Sequence, residues 1–328
     1  MSKSTKPRGL ARQLAELEAI RSDPSPAVAR KLLVRSLESE RSHVVARAAA
    51  IVAEAELRDL SSALLDATQT WMKPAPDADP NCFAKVALVR ALYELSVKAD
   101  QSFLTGIRLV QLEPVWGDVV DMAPELRGLC GLALVRTNYF DALAEVAELL
   151  ADAEPIARLA AARAIAYSER QDVGVPLLRF KARLGDEDAR VVAACLTGLL
   201  SLAPAASLEF VAALLGSEIG QTREAALIAL GESRLAGALQ VLVRCVETSL
   251  PEPQLRIGYL AIALLRSDAA FDFLLGVVSS ADRMRAERAL TALATYRSDS
   301  SLRERVLATV RKRGDKHLRT VFDGHWDK

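Results

Sequence analysis

Apolar residues recur through the second half of the chain at the spacing of a buried helical stripe. Leu143, Val146, Ala147 and Leu150 fall at i, i+3, i+4 and i+7, on one face of an amphipathic helix. The same phase returns in Leu208, Val211, Ala212 and Leu215, in Leu239, Leu242, Val243 and Val246, and in Phe271, Leu274, Leu275 and Val278. Alanine-rich second helices are predicted at about 156 to 167, 190 to 202, 222 to 232, 253 to 265 and 284 to 296. Turn signals separate the two kinds of helix, as at Glu154-Pro155 and Leu184-Gly185-Asp186, and Gly231 reads as a helix stop. The pattern is that of a series of helical hairpins.

A basic residue opens each second helix. Arg127, Arg158, Arg190, Arg223 and Arg256 are spaced 31, 32, 33 and 33 residues apart, a period that indicates a solenoid. Three residues later stand Ala161, Ala193 and Ala226, small enough for adjacent second helices to approach closely. Acidic residues shortly precede several markers: Glu125, Glu154, Asp188 and Glu252. The markers read either as a structural ladder, with carboxylates near helix N-termini pairing with arginines, or as a row of arginines offered to an anionic ligand.

Helical hairpins with an acidic residue and an arginine at the inter-helix turn, followed by an Ala-rich second helix, resemble the HEAT-repeat family. The likeness is closer to the short HEAT-like repeats of the phycobilisome-lyase type, and it covers about Pro24 to Arg313. The resemblance implies an all-α, right-handed α-α superhelix of about eight hairpins. It leaves function open, because the family includes scaffolds, adaptors, lyase subunits and a DNA glycosylase branch.

The first half keeps the plan with longer units. Markers near Val44, Lys85 and Arg127 are 41 and 42 residues apart, so about ten extra residues sit in each of two units. One insertion spans 71–81 and carries three prolines; the other spans 111–124. Both fall between the helices of their hairpins, and equivalent turns of a solenoid stack, so the loops are expected to meet on one edge. That edge would gather Trp71, Lys73, Asp77, Asp79, Glu113, Trp116, Asp118 and Asp121, the candidate binding residues. The alternative is that the tryptophans cover helix ends and the acids cap and shape turns.

Composition narrows the function. Lys plus Arg and Asp plus Glu are 42 each, so no global field draws nucleic acid or an anionic membrane. No apolar run approaches the about 18 residues of a membrane span, and a soluble, cytoplasmic protein is expected. Cys82, Cys130, Cys195 and Cys245 lie in or beside apolar helical stretches and read as buried small hydrophobes. His43, His317 and His325 have no metal-ligand spacing, and the chain has no P-loop, dinucleotide or serine-elbow motif. No catalytic residue, metal or cofactor is assigned.

The sequence therefore predicts residues 1–9 as a disordered tail, 10–314 as one HEAT-like solenoid and 315–328 as a C-terminal tail, with the basic run from Arg303 to Arg319 as a polar cap. The expected function is a non-enzymatic scaffold or adaptor for another protein or peptide. The alternative is a lyase-like or DNA-glycosylase-like protein with its site at the inserted loops.

Overall fold

The computed structural model describes residues 7–248 and 250–326, which are all-α helical repeats of the solenoid type apart from one β-hairpin. Contacts divide the chain into two compact units, Met1–Glu169 and Arg170–Lys328. The first opens with α1 (Pro7–Ile20) and continues as four hairpins. These are α2 (Ala27–Leu37) with α3 (Ser42–Glu54), α4 (Ser61–Trp71) with α5 (Phe83–Glu94), α6 (Asp100–Gly106) with α7 (Pro124–Arg136), and α8 (Ala142–Leu149) with α9 (Pro155–Tyr167). Strands β1 (Leu112–Val115) and β2 (Asp118–Asp121) stand between α6 and α7.

The second unit is five hairpins. They pair α10 (Gln171–Leu184) with α11 (Ala189–Leu202), α12 (Pro204–Ala213) with α13 (Gly220–Ser233), α14 (Ala236–Thr248) with α15 (Leu255–Leu264), α16 (Asp268–Ser280) with α17 (Arg283–Leu293), and α18 (Ser300–Arg313) with α19 (Lys316–Trp326).

Within each unit the second helices stack in order: α3, α5, α7 and α9 in the first, and α11, α13, α15, α17 and α19 in the second. A second helix inside a stack, such as α5, α7, α13 or α15, is therefore enclosed by its own first helix and two neighbours, which explains its Ala/Val/Leu composition on nearly every face. In α7, Leu126 to Gly131 are all buried, whereas α14 buries only Ala238, Leu242, Cys245 and Val246. First helices are amphipathic because their other side meets solvent.

Close stacking needs small residues at the crossings. A Cβ on Gly128 would lie 2.4 Å from the Ala160 Cβ, and one on Gly231 would lie 2.3 Å from the Ala261 carbonyl oxygen. Gly231, which reads from the sequence as a stop, lies inside α13 and admits α15 instead. Gly314 does end α18, with φ of 72°, but several helix ends are set by non-glycine residues in the left-handed region. Glu56, Ser96 and Asn138 have φ of 51°, 54° and 55° after α3, α5 and α7. Each end carries the paired Schellman bonds, such as Leu57 N–H to Val52 O and Glu56 N–H to Ala53 O.

The segment read as a C-terminal tail contains α19, which buries Leu318, Phe322 and Trp326, while residues 327–328 lie outside the described set. Its apolar residues recur every four positions, so they share a face that packs on α17 and α18. The expected N-terminal tail lies outside the described residues through residue 6, and α1 begins at Pro7.

Gly231→Ala tests the crossing. Alanine favours a helix interior by about 1 kcal/mol over glycine, but the new methyl meets α15 backbone, which cannot rotate away. The expected net result is destabilisation by roughly 1–3 kcal/mol in urea unfolding.

Candidate interaction site at the inserted loops

The two insertions meet, and a chain of buried polar groups joins them. Lys85 sits in the first turn of α5 with no exposed surface. Its ammonium lies 3.0 Å from Asp79 Oδ2 and donates to Gln111 Oε1, also at 3.0 Å. Asp79 is equally buried and its Oδ1 accepts from Ala84 N–H at 2.7 Å, so it holds the start of α5 from the preceding loop. Gln111 completes the clasp: its amide donates to Asp79 O at 2.8 Å and to Glu113 Oε1 at 2.7 Å, and its Oε1 also accepts from Ala75 N–H. Buried polar groups persist where each finds partners.

A second cluster follows one repeat later. Arg127 forms a two-pronged pair with Asp152, at 2.7 Å on both oxygens, and also donates to Asp121 and to Leu109 O. Asp121 accepts from Gln111 N–H and Ala123 N–H, both at 3.0 Å, and so closes the hairpin onto α7. Burial pushes the Asp121 carboxyl up, but the Ala123 N–H, the Arg127 guanidinium and the Gln111 N–H outweigh it and hold it below the usual carboxylate range. Arg158 takes the next step, donating to Asp152 O and Ala153 O.

Of the eight candidate residues, four are therefore engaged inside the protein. Trp71 is buried at the end of α4, and Asp79, Glu113 and Asp121 bind backbone N–H groups or neighbouring side chains. Lys73 and Asp77 are exposed and have no ion-pair partner among the described residues. Trp116 and Asp118 are exposed at the hairpin tip, whereas Trp71 is buried.

The later markers diverge. Arg190 is exposed and pairs with its own Asp188 at 2.6 Å; Arg223 donates to Gln254 Oε1 at 2.6 Å and to Ser217 O; Arg256 is exposed, without an ion pair among the described residues. Two of the acids before markers pair with arginines of an adjacent second helix: Glu125 with Arg90, and Glu252 with Arg288. The sequence spacing located the helix starts but not these partners.

The hairpin itself has an unusual tip. Its register pairs Val115 with Asp118, leaving Trp116-Gly117 as a two-residue turn with φ of 49° and 97°. Two positive φ values match the I′ geometry that suits a twisted hairpin, where asparagine or aspartate before glycine is the usual choice. Tryptophan there is disfavoured, and this one gains nothing from packing, because it is fully exposed at 104%. Leu112, Pro114 and Val119 share one face of the hairpin, and Leu112 and Val119 are 58% and 60% exposed.

The open strand edges are blunted. Met122 N–H donates to Gln111 O at 2.8 Å, so by alternation the outward-pointing groups belong to residues 112, 114, 119 and 121. Pro114 has no N–H to offer, and Val119 N–H is taken by Asp118 Oδ1 at 2.8 Å. Midway along both edges, what the hairpin presents is side chains rather than N–H donors.

Other features give little chemistry. Burial pushes the Cys82 and Cys195 thiols up to about 12 and raises Cys130 as well, so these thiols stay protonated at neutral pH. Among the described residues no three or more His, Cys, Asp or Glu side chains gather as a metal site, and no helix is long and apolar enough to cross a membrane. A hollow of about 910 Å³ is floored by alanines of α3 and α5, with Phe83 and His43 in edge-on contact at 4.9 Å. Its rim charges are mostly paired with each other, as Arg47 with Glu18 and Arg90 with Glu125.

No family model and no curated protein matches the chain. Among solved structures, the complex of CpcE and CpcF of phycocyanin lyase from Nostoc sp. PCC7120 is similar at 14% identity and a TM-score of 0.39, over 76% of this chain and 94% of that one. A crystal structure of an engineered protein is similar at 19% identity and a TM-score of 0.40, over 94% of this chain and 90% of that one.

Two expected outcomes test the clasp. Lys85→Ala leaves Asp79 buried without its cation and should cost about 3–5 kcal/mol in urea unfolding. Asp121 has a depressed folded pKa, so its contribution is present above the unfolded value and lost as pH falls through the folded one. Asp121→Asn should accordingly be less stable than wild type at pH 7, with the gap closing on acidification below about pH 4.

Proposed function

We propose that this protein is a non-enzymatic interaction platform, with the 112–121 hairpin as its recognition element. The observation that carries the reading is Trp116, a bulky residue in a left-handed conformation with its whole surface in water. Both circumstances work against the folded state, and nothing within the described chain compensates them. Tryptophan is the side chain that contributes most when a partner's pocket encloses it. The clasp beneath supports the same reading, since a buried network that fixes both insertions presents the tip on a rigid mount.

The alternative, a lyase-like or DNA-glycosylase-like site at the loops, draws less support from the geometry. It calls for two tryptophans with carboxylates around a ligand, whereas Trp71 is buried and Asp79, Glu113 and Asp121 are engaged in holding the loops together.

Site-specific photocrosslinking from residue 116, in cells of the source organism, tests the proposal. A discrete protein adduct is expected from position 116 and not from position 140, where Phe140 is 83% exposed in the same unit. Identical labelling from both positions would count against the hairpin as the contact. In parallel, Trp116→Asn should leave thermal stability equal or raised by up to about 1 kcal/mol, because asparagine suits the turn. A large loss of stability would mean that Trp116 has a structural role.

A further inference from the structure

The outer face of the hairpin does not end in open solvent. Leu112 and Asp121, both on that face, also line a groove of about 530 Å³ whose far wall is α8 and the turn before α9. Its floor is apolar, from Ile107, Val110, Leu112 and Leu149. Val119 continues this surface toward the tip, because the register sets it diagonally across from Leu112.

The charges around the groove are one-sided. Five carboxylates line it against two guanidinium groups. Asp121 and Asp152 are occupied by Arg127, and Glu145 pairs with Arg108 at 2.6 Å. Glu148 and Glu154 form no ion pair among the described residues, although Arg108, which is paired with Glu145, also acts on Glu148 from a greater distance. An apolar floor bordered by unpaired carboxylates is matched by an apolar side chain carried between cations. It repels phosphate backbones and anionic lipid surfaces. Backbone pairing is curtailed at mid-strand on both edges, where Pro114 has no N–H and Val119 N–H is occupied.

We propose that this groove binds a peptide segment of a partner protein in which one or two large apolar residues are flanked by lysine or arginine. The apolar side chain lies on the exposed Val110 and Leu112, and the flanking cations meet Glu148 and Glu154. The proposal rests on reading the hairpin as the recognition element and adds the chemistry of what it recognises.

A random 12-residue phage-displayed peptide library, selected on the full chain, tests it. Enriched peptides should carry an apolar residue between basic ones. Synthetic copies, followed by fluorescence anisotropy, should lose about tenfold or more in affinity on Leu112→Ser/Val119→Ser and on Glu148→Lys/Glu154→Lys. Both pairs of substitutions lie on exposed or partly exposed positions, and unchanged circular dichroism and melting would show that the fold survives. No enrichment, enrichment of acidic peptides, equal binding by a copy with serine for its apolar residue, or binding indifferent to both double variants would each overturn the proposal. A surviving crosslink from position 116 would then leave the hairpin as a contact for a different chemistry, whereas loss of both results would remove the platform reading itself.

Discussion

Lys85 has no water. Its ammonium is fully enclosed, and such a charge is tolerated only because Asp79 and Gln111 both reach it. That requirement fixes much else in the first unit. Asp79 must come down from the 71–81 loop and in doing so meets the start of α5; Gln111 must come from the other insertion and in doing so holds the root of the hairpin. One buried cation thus ties two long loops and two successive hairpins into a single arrangement. The Arg127 cluster extends the arrangement to α7 and the turn before α9, through Asp121 and Asp152.

The clasp also explains how a solenoid can carry a projecting element. A two-stranded hairpin alone is marginal in water. This one is held at its base by Asp121 and Gln111 and on its inner face by Glu113, which accepts from Asn81 N–H at 2.8 Å. The free end is then available for residues that do nothing for stability, and Trp116 is such a residue. The same division of labour separates the carboxylates: Asp79, Glu113 and Asp121 are turned inward to hold backbone, while Glu148 and Glu154 border the groove as charge.

The fold was legible because its cause is local and repeated. A stripe at i, i+3, i+4 and i+7 requires a helix with one buried face, and its return every 31 to 33 residues requires stacked hairpins. Boundaries were less legible where chemistry was ambiguous. Gly231 can end a helix or admit a neighbour, and only the proximity of Ala261 decides between them. Residues 315–328 look polar in composition, yet Leu318, Phe322 and Trp326 share one helical face, a signal that the spacing did contain.

The sequence by itself determined the repeat, the place where it breaks, and the residue types gathered at the break. It could not assign them to roles, because a carboxylate in a loop has the same letter whether it caps a helix or faces a partner. Trp71 and Trp116 show this most plainly: one ends a helix and is buried, the other occupies a turn and is bare. Tertiary structure separated them, since burial and hydrogen bonding depend on which loop lies beside which, and that was set by where Lys85 could find its counter-charge.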